Sequence, residues 1–185
     1  MQELSMNILD VAENSVTSGA KLIGITLTIN TKAKSLIINI KDDGCGMPAE
    51  MVARVTDPFC TNRTTRKVGL GLPFFKMAAE LTGGTLIIQS AVGKGTSVTA
   101  SFTLGHIDLA PLGDVAGSIA SLIQCNPNID FVFTVLADED TFCTDTRELR
   151  EVLGEVSFAL PEVAIWIREY IDENTKELLK RSITL

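Results

Sequence analysis

Apolar residues recur along this chain at two periods, and each change of period marks the end of an element. Over residues 3–17, Leu4, Ile8, Val11, Ala12 and Ser15 return at helical spacing and predict a core-facing stripe. Met6, Asp10, Glu13, Asn14 and Thr17 fall toward another face, and Gly19 ends the helix. The period then drops to two. Ile23, Ile25, Leu27 and Ile29 alternate with smaller or polar residues, and Leu36, Ile38 and Ile40 do the same after a turn at 31–34, which predicts two strands. A short helix over 49–55 and a polar, basic segment over 61–67 follow. Pro73, Phe74, Phe75, Met77, Ala78, Ala79 and Leu81 restore the helical pattern, and Gly83 and Gly84 stop it. Two more strands, 85–90 and 96–104, flank a hairpin loop at 92–95, and this module closes near Gly105.

Beyond Gly105 the pattern continues more loosely. Residues 112–124 have helical character, and 130–136 and 141–144 read as a hairpin around Asp138-Glu139-Asp140. Asp145 or Thr146 caps a helix that ends at Gly154, and Pro161 fits the first turn of a final helix. Val163, Ile167, Tyr170, Ile171 and Leu178 make its apolar stripe, widened by Trp166. The expected division is therefore a domain over 1–105 and a small α+β subdomain over 106–185, whose apolar face serves either as core or as a docking surface for a partner or a second subunit.

Composition narrows the class. The chain has 185 residues, 45% of them apolar, which is enough for one domain or one and a half with a full core. No apolar run approaches transmembrane length and the first residues lack a charged-then-apolar signal, so the expectation is a soluble, cytoplasmic protein with no membrane contact. The net charge of −7 is uneven: residues 1–105 hold ten Lys and Arg against eight acids, and residues 106–185 hold six against fifteen. That acidic half argues against a nucleic-acid partner. Cys45, Cys60, Cys125 and Cys143 are not paired at metal-ligand spacing and there is one histidine, so a zinc site is not expected and the cysteines read as reduced thiols.

The chemistry gathers in the first module. Val68-Gly69-Leu70-Gly71-Leu72 lies at the entry to the third predicted helix. Glycines there leave backbone N–H groups uncovered, and the helix dipole favours an anion such as phosphate at that end. Upstream, the second strand runs into Lys41-Asp42-Asp43-Gly44-Cys45-Gly46, a loop that a ligand can approach closely. A carboxylate in it is acceptor-only and suits a donor such as an exocyclic amine. Arg63, Arg66 and Lys67 form a cationic segment directly before the glycines, suited to a lid over a phosphate. Asp10 and Asn14, four apart, stack on adjacent turns of the first helix. They read either as a polar helix surface or as a magnesium-and-water site, because Mg²⁺ wants oxygen ligands and keeps several waters.

Taken in order, these motifs resemble the GHKL ATPase superfamily of gyrase subunits, chaperones, histidine kinases and MutL-type mismatch-repair ATPases, over residues 3–105. The resemblance implies a Bergerat-type α/β two-layer sandwich, a mixed sheet with helices on one face, and Mg-ATP as ligand. It implies that Asn14 ligates Mg²⁺, that Asp42 accepts from the adenine amine, and that Gly44 and Gly46 make room for the base. Asp57-Pro58-Phe59 resembles the phenylalanine box of histidine kinases. Gly69 and Gly71, with Leu70 between them, look like the phosphate loop. Gly93-Lys94-Gly95-Thr96 resembles the last strand-turn signature, whose threonine usually supports the adenine-binding aspartate. The first helix is similar to the gyrase and mismatch-repair branch, where a glutamate four residues before the asparagine activates water; here that position is Asp10. The compact lid and phenylalanine box resemble the kinase branch.

A histidine kinase also needs a helix bearing the phosphoacceptor histidine. The one histidine, His106, follows the last strand and reads as a linker residue. The expectation is therefore an ATP-dependent protein kinase or regulator acting on a separate partner, with Arg63 and Lys67 neutralising charge on the transferring group. The competing expectations are an ATP-hydrolysing switch in which Asp10 orients water, and an ATP sensor without turnover.

Overall fold

The period-two stretches pair into one six-stranded mixed sheet in a computed structural model that describes residues 3–56 and 70–183. Its elements are α1 (Leu4–Thr17), β1 (Leu22–Asn30), β2 (Ser35–Asp42), α2 (Ala49–Val52), α3 (Gly71–Leu81), β3 (Leu86–Ala91), β4 (Gly95–Thr103), α4 (Val115–Cys125), β5 (Asp130–Ala137), β6 (Asp140–Asp145), α5 (Thr146–Leu153) and α6 (Pro161–Ile183). The strand order is β3-β4-β2-β1-β5-β6. Every neighbouring pair is antiparallel except β1 and β5, which run parallel.

Register explains why the sheet has one covered face. Ile25 lies opposite Ile40 on one side and Phe133 on the other, and Ile40 lies opposite Val98, so buried residues of four strands line up across the sheet. The helices cover this face. Phe75 of α3 packs its ring against Phe102 of β4 at 5.8 Å between centroids, and Val163, Ile167 and Ile171 of α6 are buried at helical spacing. The other face is polar. Asn39 donates from Nδ2 to Ser97 Oγ at 3.1 Å and to Thr99 Oγ1 at 2.8 Å, a row of hydrogen bonds suited to water rather than to a second helical layer.

Residues 106–185, expected as a separate small subdomain, supply two strands of this same sheet. β5 pairs with β1 from Leu22↔Asp130 to Ile29↔Ala137, which leaves β1 in the interior of the sheet. Asp145 caps α5 by accepting from the Arg147 N–H at 2.9 Å, and the helix stops at Gly154, as the spacing predicts. Trp166 stacks on Tyr170 and remains 39% exposed, so it covers the edge of the aromatic cluster instead of filling it.

Candidate nucleotide site

β2 ends at Asp42, which is 7% exposed and opens the acidic-glycine loop. Three protein donors hold its carboxylate. Ser15 Oγ donates to Oδ2 at 2.7 Å, Gly44 N–H to Oδ1 at 2.9 Å, and Thr96 N–H to Oδ1 at 3.2 Å. α1, the loop and β4 thus converge on one acid. Its neighbour Asp43 serves the fold: it accepts from the Lys21 and Leu22 N–H groups at 2.7 and 2.9 Å. The Leu22 N–H bond, with help from Lys21, holds the Asp43 carboxyl below its ordinary value.

Thr96 stands where the sequence motif places it, opposite Asp42, but touches the acid through its backbone. Its hydroxyl lies 2.9 Å from Ser90 Oγ, which also accepts from Met47 N–H and donates to the Gly95 carbonyl. Ser90 has one proton for these two acceptors, and the Thr96 hydroxyl is turned toward it and not toward Asp42. The hydroxyl that reaches Asp42 belongs to Ser15. Spacing assigns Ser15 to the core stripe, and the only signal of another role is a hydroxyl in an apolar row beside Asn14.

The loop glycines admit the chain's own atoms. A Cβ on Gly44 would fall 1.9 Å from Ser18 Oγ, and one on Gly46, where φ is +65°, would fall 2.0 Å from the Ala91 carbonyl. Any side chain at either position would push the loop away from α1 and β3, and with it the Gly44 N–H from Asp42.

Asp10 and Asn14 lie on one face of α1, both exposed, and neither side chain has a hydrogen-bond partner among the described residues. Asp10 also abuts the start of α3: a Cβ on Gly71 would come within 2.7 Å of the Asp10 Cβ. Desolvation there raises the Asp10 carboxyl above its ordinary value. Leu70 is the N-cap residue of α3 and is 49% exposed, and Gly71 is the first residue of the helix. Phe59, Arg63, Lys67 and Gly69 lie outside the described residues. The α1 face thus meets the N-terminal end of α3 at Asp10.

The family model for histidine kinase-, DNA gyrase B-, and HSP90-like ATPases matches residues 1–106. The chain belongs to this family. It carries an ATP-binding, kinase-like catalytic domain, in keeping with sensor-kinase relatives. It is 35% identical over 92 residues to sporulation kinase D of Bacillus subtilis, covering 50% of this chain and 18% of that one. It is 32% identical over 110 residues to the sensor histidine kinase WalK of the same organism, covering 54% and 18%. A longer match, 23% identical over 161 residues, covers 84% of this chain and 13% of the virulence sensor protein BvgS of Bordetella bronchiseptica. The chain therefore spans less than a fifth of the length of these relatives. Among solved structures, the N-terminal domain of a DNA repair protein superposes with a TM-score of 0.54 at 15% identity over 77% of this chain and 52% of that one, a likeness of fold.

Two features of this ATPase-family domain bear on a divalent ion. Asn14 offers an amide oxygen and Asp10 a carboxylate one turn away, and neither is engaged by another described residue. One or two oxygen ligands on an open surface suit Mg²⁺, which keeps its waters and shares phosphate oxygens. Among the described residues no group of three His, Cys, Asp or Glu could hold a metal ion. No helix among the described residues is long and apolar enough to cross a membrane.

Proposed function

We propose that this domain binds Mg-ATP and transfers its γ-phosphoryl group to a side chain of a separate protein. The observation that carries the reading is Asp42: a buried acid held by three donors from three elements, at the mouth of the loop between α1 and β4. In this reading its free acceptor position takes the adenine amine. The N-terminal end of α3, at Leu70 and Gly71, faces the phosphates. Asn14, with Asp10 beside it, would hold the magnesium, which when bound supplies positive charge to the phosphate oxygens. Arg63 and Lys67 would offset the charge of the transferring group. A partner's nucleophile attacks the γ-phosphorus as the bond to ADP breaks, and its proton leaves to solvent.

His106 is engaged in local structure. Its Nδ1 accepts from the Asp108 N–H at 3.2 Å, in a turn just past β4. That nitrogen is part of the turn's own structure.

A second reading has its own observation. Asp10 is held above its ordinary value beside the start of α3, and a carboxylate with a raised pKa is a better general base for water. The domain would then hydrolyse ATP and report the nucleotide to a partner through residues 106–185. One assay separates the two. Purified protein is incubated with γ-labelled ATP and Mg²⁺, alone and with extract of the source cells. Protein-bound label that disappears in Asp42→Ala supports transfer. Free phosphate from the purified protein alone, lost in Asp10→Asn, supports hydrolysis. Tight ATP binding with neither product would sink both and leave a nucleotide sensor.

A further inference from the structure

Ser15 is 4% exposed on the buried face of α1, and its hydroxyl makes the shortest of the three bonds to Asp42. An ionised carboxylate accepts at about four lone-pair positions. Gly44 N–H and Thr96 N–H occupy Oδ1, and Ser15 occupies one position on Oδ2. A single position is left. We propose that Ser15 is the positioning residue for base selection: its hydroxyl fixes the rotation of the Asp42 carboxylate and leaves one acceptor for one N–H donor. The proposal rests on the ATP reading above and assigns to Ser15 the role that the sequence motif gives to Thr96.

The argument turns on what Oδ2 would do without that hydroxyl. The torsion that turns a carboxylate is soft, so its orientation is set by its partners. Both Oδ1 partners are backbone groups, and they fix one oxygen but leave Oδ2 with two open positions in a buried setting. A buried acceptor left short of donors is costly, and it would recruit water or turn toward other donors. Either response competes with a base amine. The Thr96 hydroxyl is placed elsewhere, 2.9 Å from Ser90 Oγ, and only its backbone N–H reaches Asp42. Ser15 also follows Asn14 on α1, so the same bond ties the base-reading acid to the helix that would hold the magnesium.

The test compares ATP with purine riboside triphosphate, which lacks the 6-amine, by calorimetry on the full chain. Wild type, Ser15→Ala, Ser15→Thr and Asp42→Asn are compared, each with a thermal unfolding scan without nucleotide. Wild type should prefer ATP. Ser15→Ala should lose about tenfold of that preference while its affinity for the analogue changes little. Ser15→Thr should restore most of it, because it keeps the hydroxyl. A Ser15→Ala protein that retains the wild-type preference, or that weakens on both nucleotides equally, overturns the proposal. If Ser15→Ala shows no unfolding transition, Ser15→Cys carries the test with its weaker donor: a reduced preference supports the proposal and an unchanged one overturns it. A wild-type protein with no preference, matched by Asp42→Asn, would instead remove the adenine reading itself.

Discussion

Around Asp42 the roles of single residues follow from which partner each hydroxyl reaches. Ser90 Oγ lies 2.9 Å from both the Gly95 carbonyl and Thr96 Oγ1, and Ser15 is the hydroxyl donor to the acid. The position of Asp42 was legible from the sequence, because a strand running into two acids and two glycines has few uses. The choice between Thr96 and Ser15 was not legible. It depends on a bond between residues 27 positions apart, which no local spacing encodes. Asp43, indistinguishable from Asp42 in composition, proves to anchor the start of β1. Its folded carboxyl lies below the ordinary 3.8, so on acidification the unfolded chain takes up the proton first. The stabilisation is therefore complete above that value and is lost as pH falls through the folded one. Asp43→Asn should lower the urea midpoint at pH 7, and the gap from wild type should narrow as pH falls below 3.8. Asp10 has the opposite sign: its raised carboxyl makes the fold lose stability as pH rises through the ordinary range. Asp10→Asn should raise the melting temperature at neutral pH while lowering any ATP hydrolysis, a pairing that a bland surface residue would not produce.

At the scale of elements, caps and close approaches decide more than propensity. α5 has eight residues, too few to hold itself together without help. Asp145 supplies the help, accepting from Arg147 N–H and pairing with its guanidinium, while Thr146 Oγ1 accepts from Phe131 N–H at 2.8 Å and ties the helix start to β5. Asp145→Ala should cost about 1 kcal/mol, read as a shift in the urea midpoint with an unchanged slope. The meeting of α1 and α3 is the second case. With Gly71 so close to Asp10, Gly71→Ala forces the two helices apart and should cost about 1–3 kcal/mol in unfolding experiments. If α3 carries the phosphate-facing end, that variant should also weaken ATP. Both helices were legible from their apolar period. The contact between them was not, since an apolar stripe states which face is buried and not what it is buried against.

The whole molecule differs most from its sequence pattern at β5. The pattern distinguishes a hairpin over residues 130–144 and makes no statement about its neighbour, because strand periodicity carries no address. The neighbour is β1, so the second half completes the sheet of the first. A fragment of residues 1–105 should therefore expose β1 as a bare edge from Leu22 to Ile29, with Ile23, Ile25 and Leu27 losing Phe131, Phe133 and Val135 beside them. It is expected to aggregate and to lose a sharp urea transition. A fragment that unfolds cooperatively and binds ATP like the full chain would show that the first four strands stand alone. In the full chain, fluorescence of the single tryptophan, Trp166, and backbone circular dichroism should trace one unfolding curve.

The β1–β5 pairing also sets a schedule for biosynthesis. Its partners lie more than a hundred positions apart in the chain, so β1 leaves the ribosome well before the strand it must join. At about 5–20 residues per second that interval is roughly 5–20 s. Throughout it, a hydrophobic strand destined for the middle of the sheet has one side unpaired, and long-range pairing of this kind is the slow step in β-rich folds. The nascent ATPase half is thus an aggregation hazard until its last third is made.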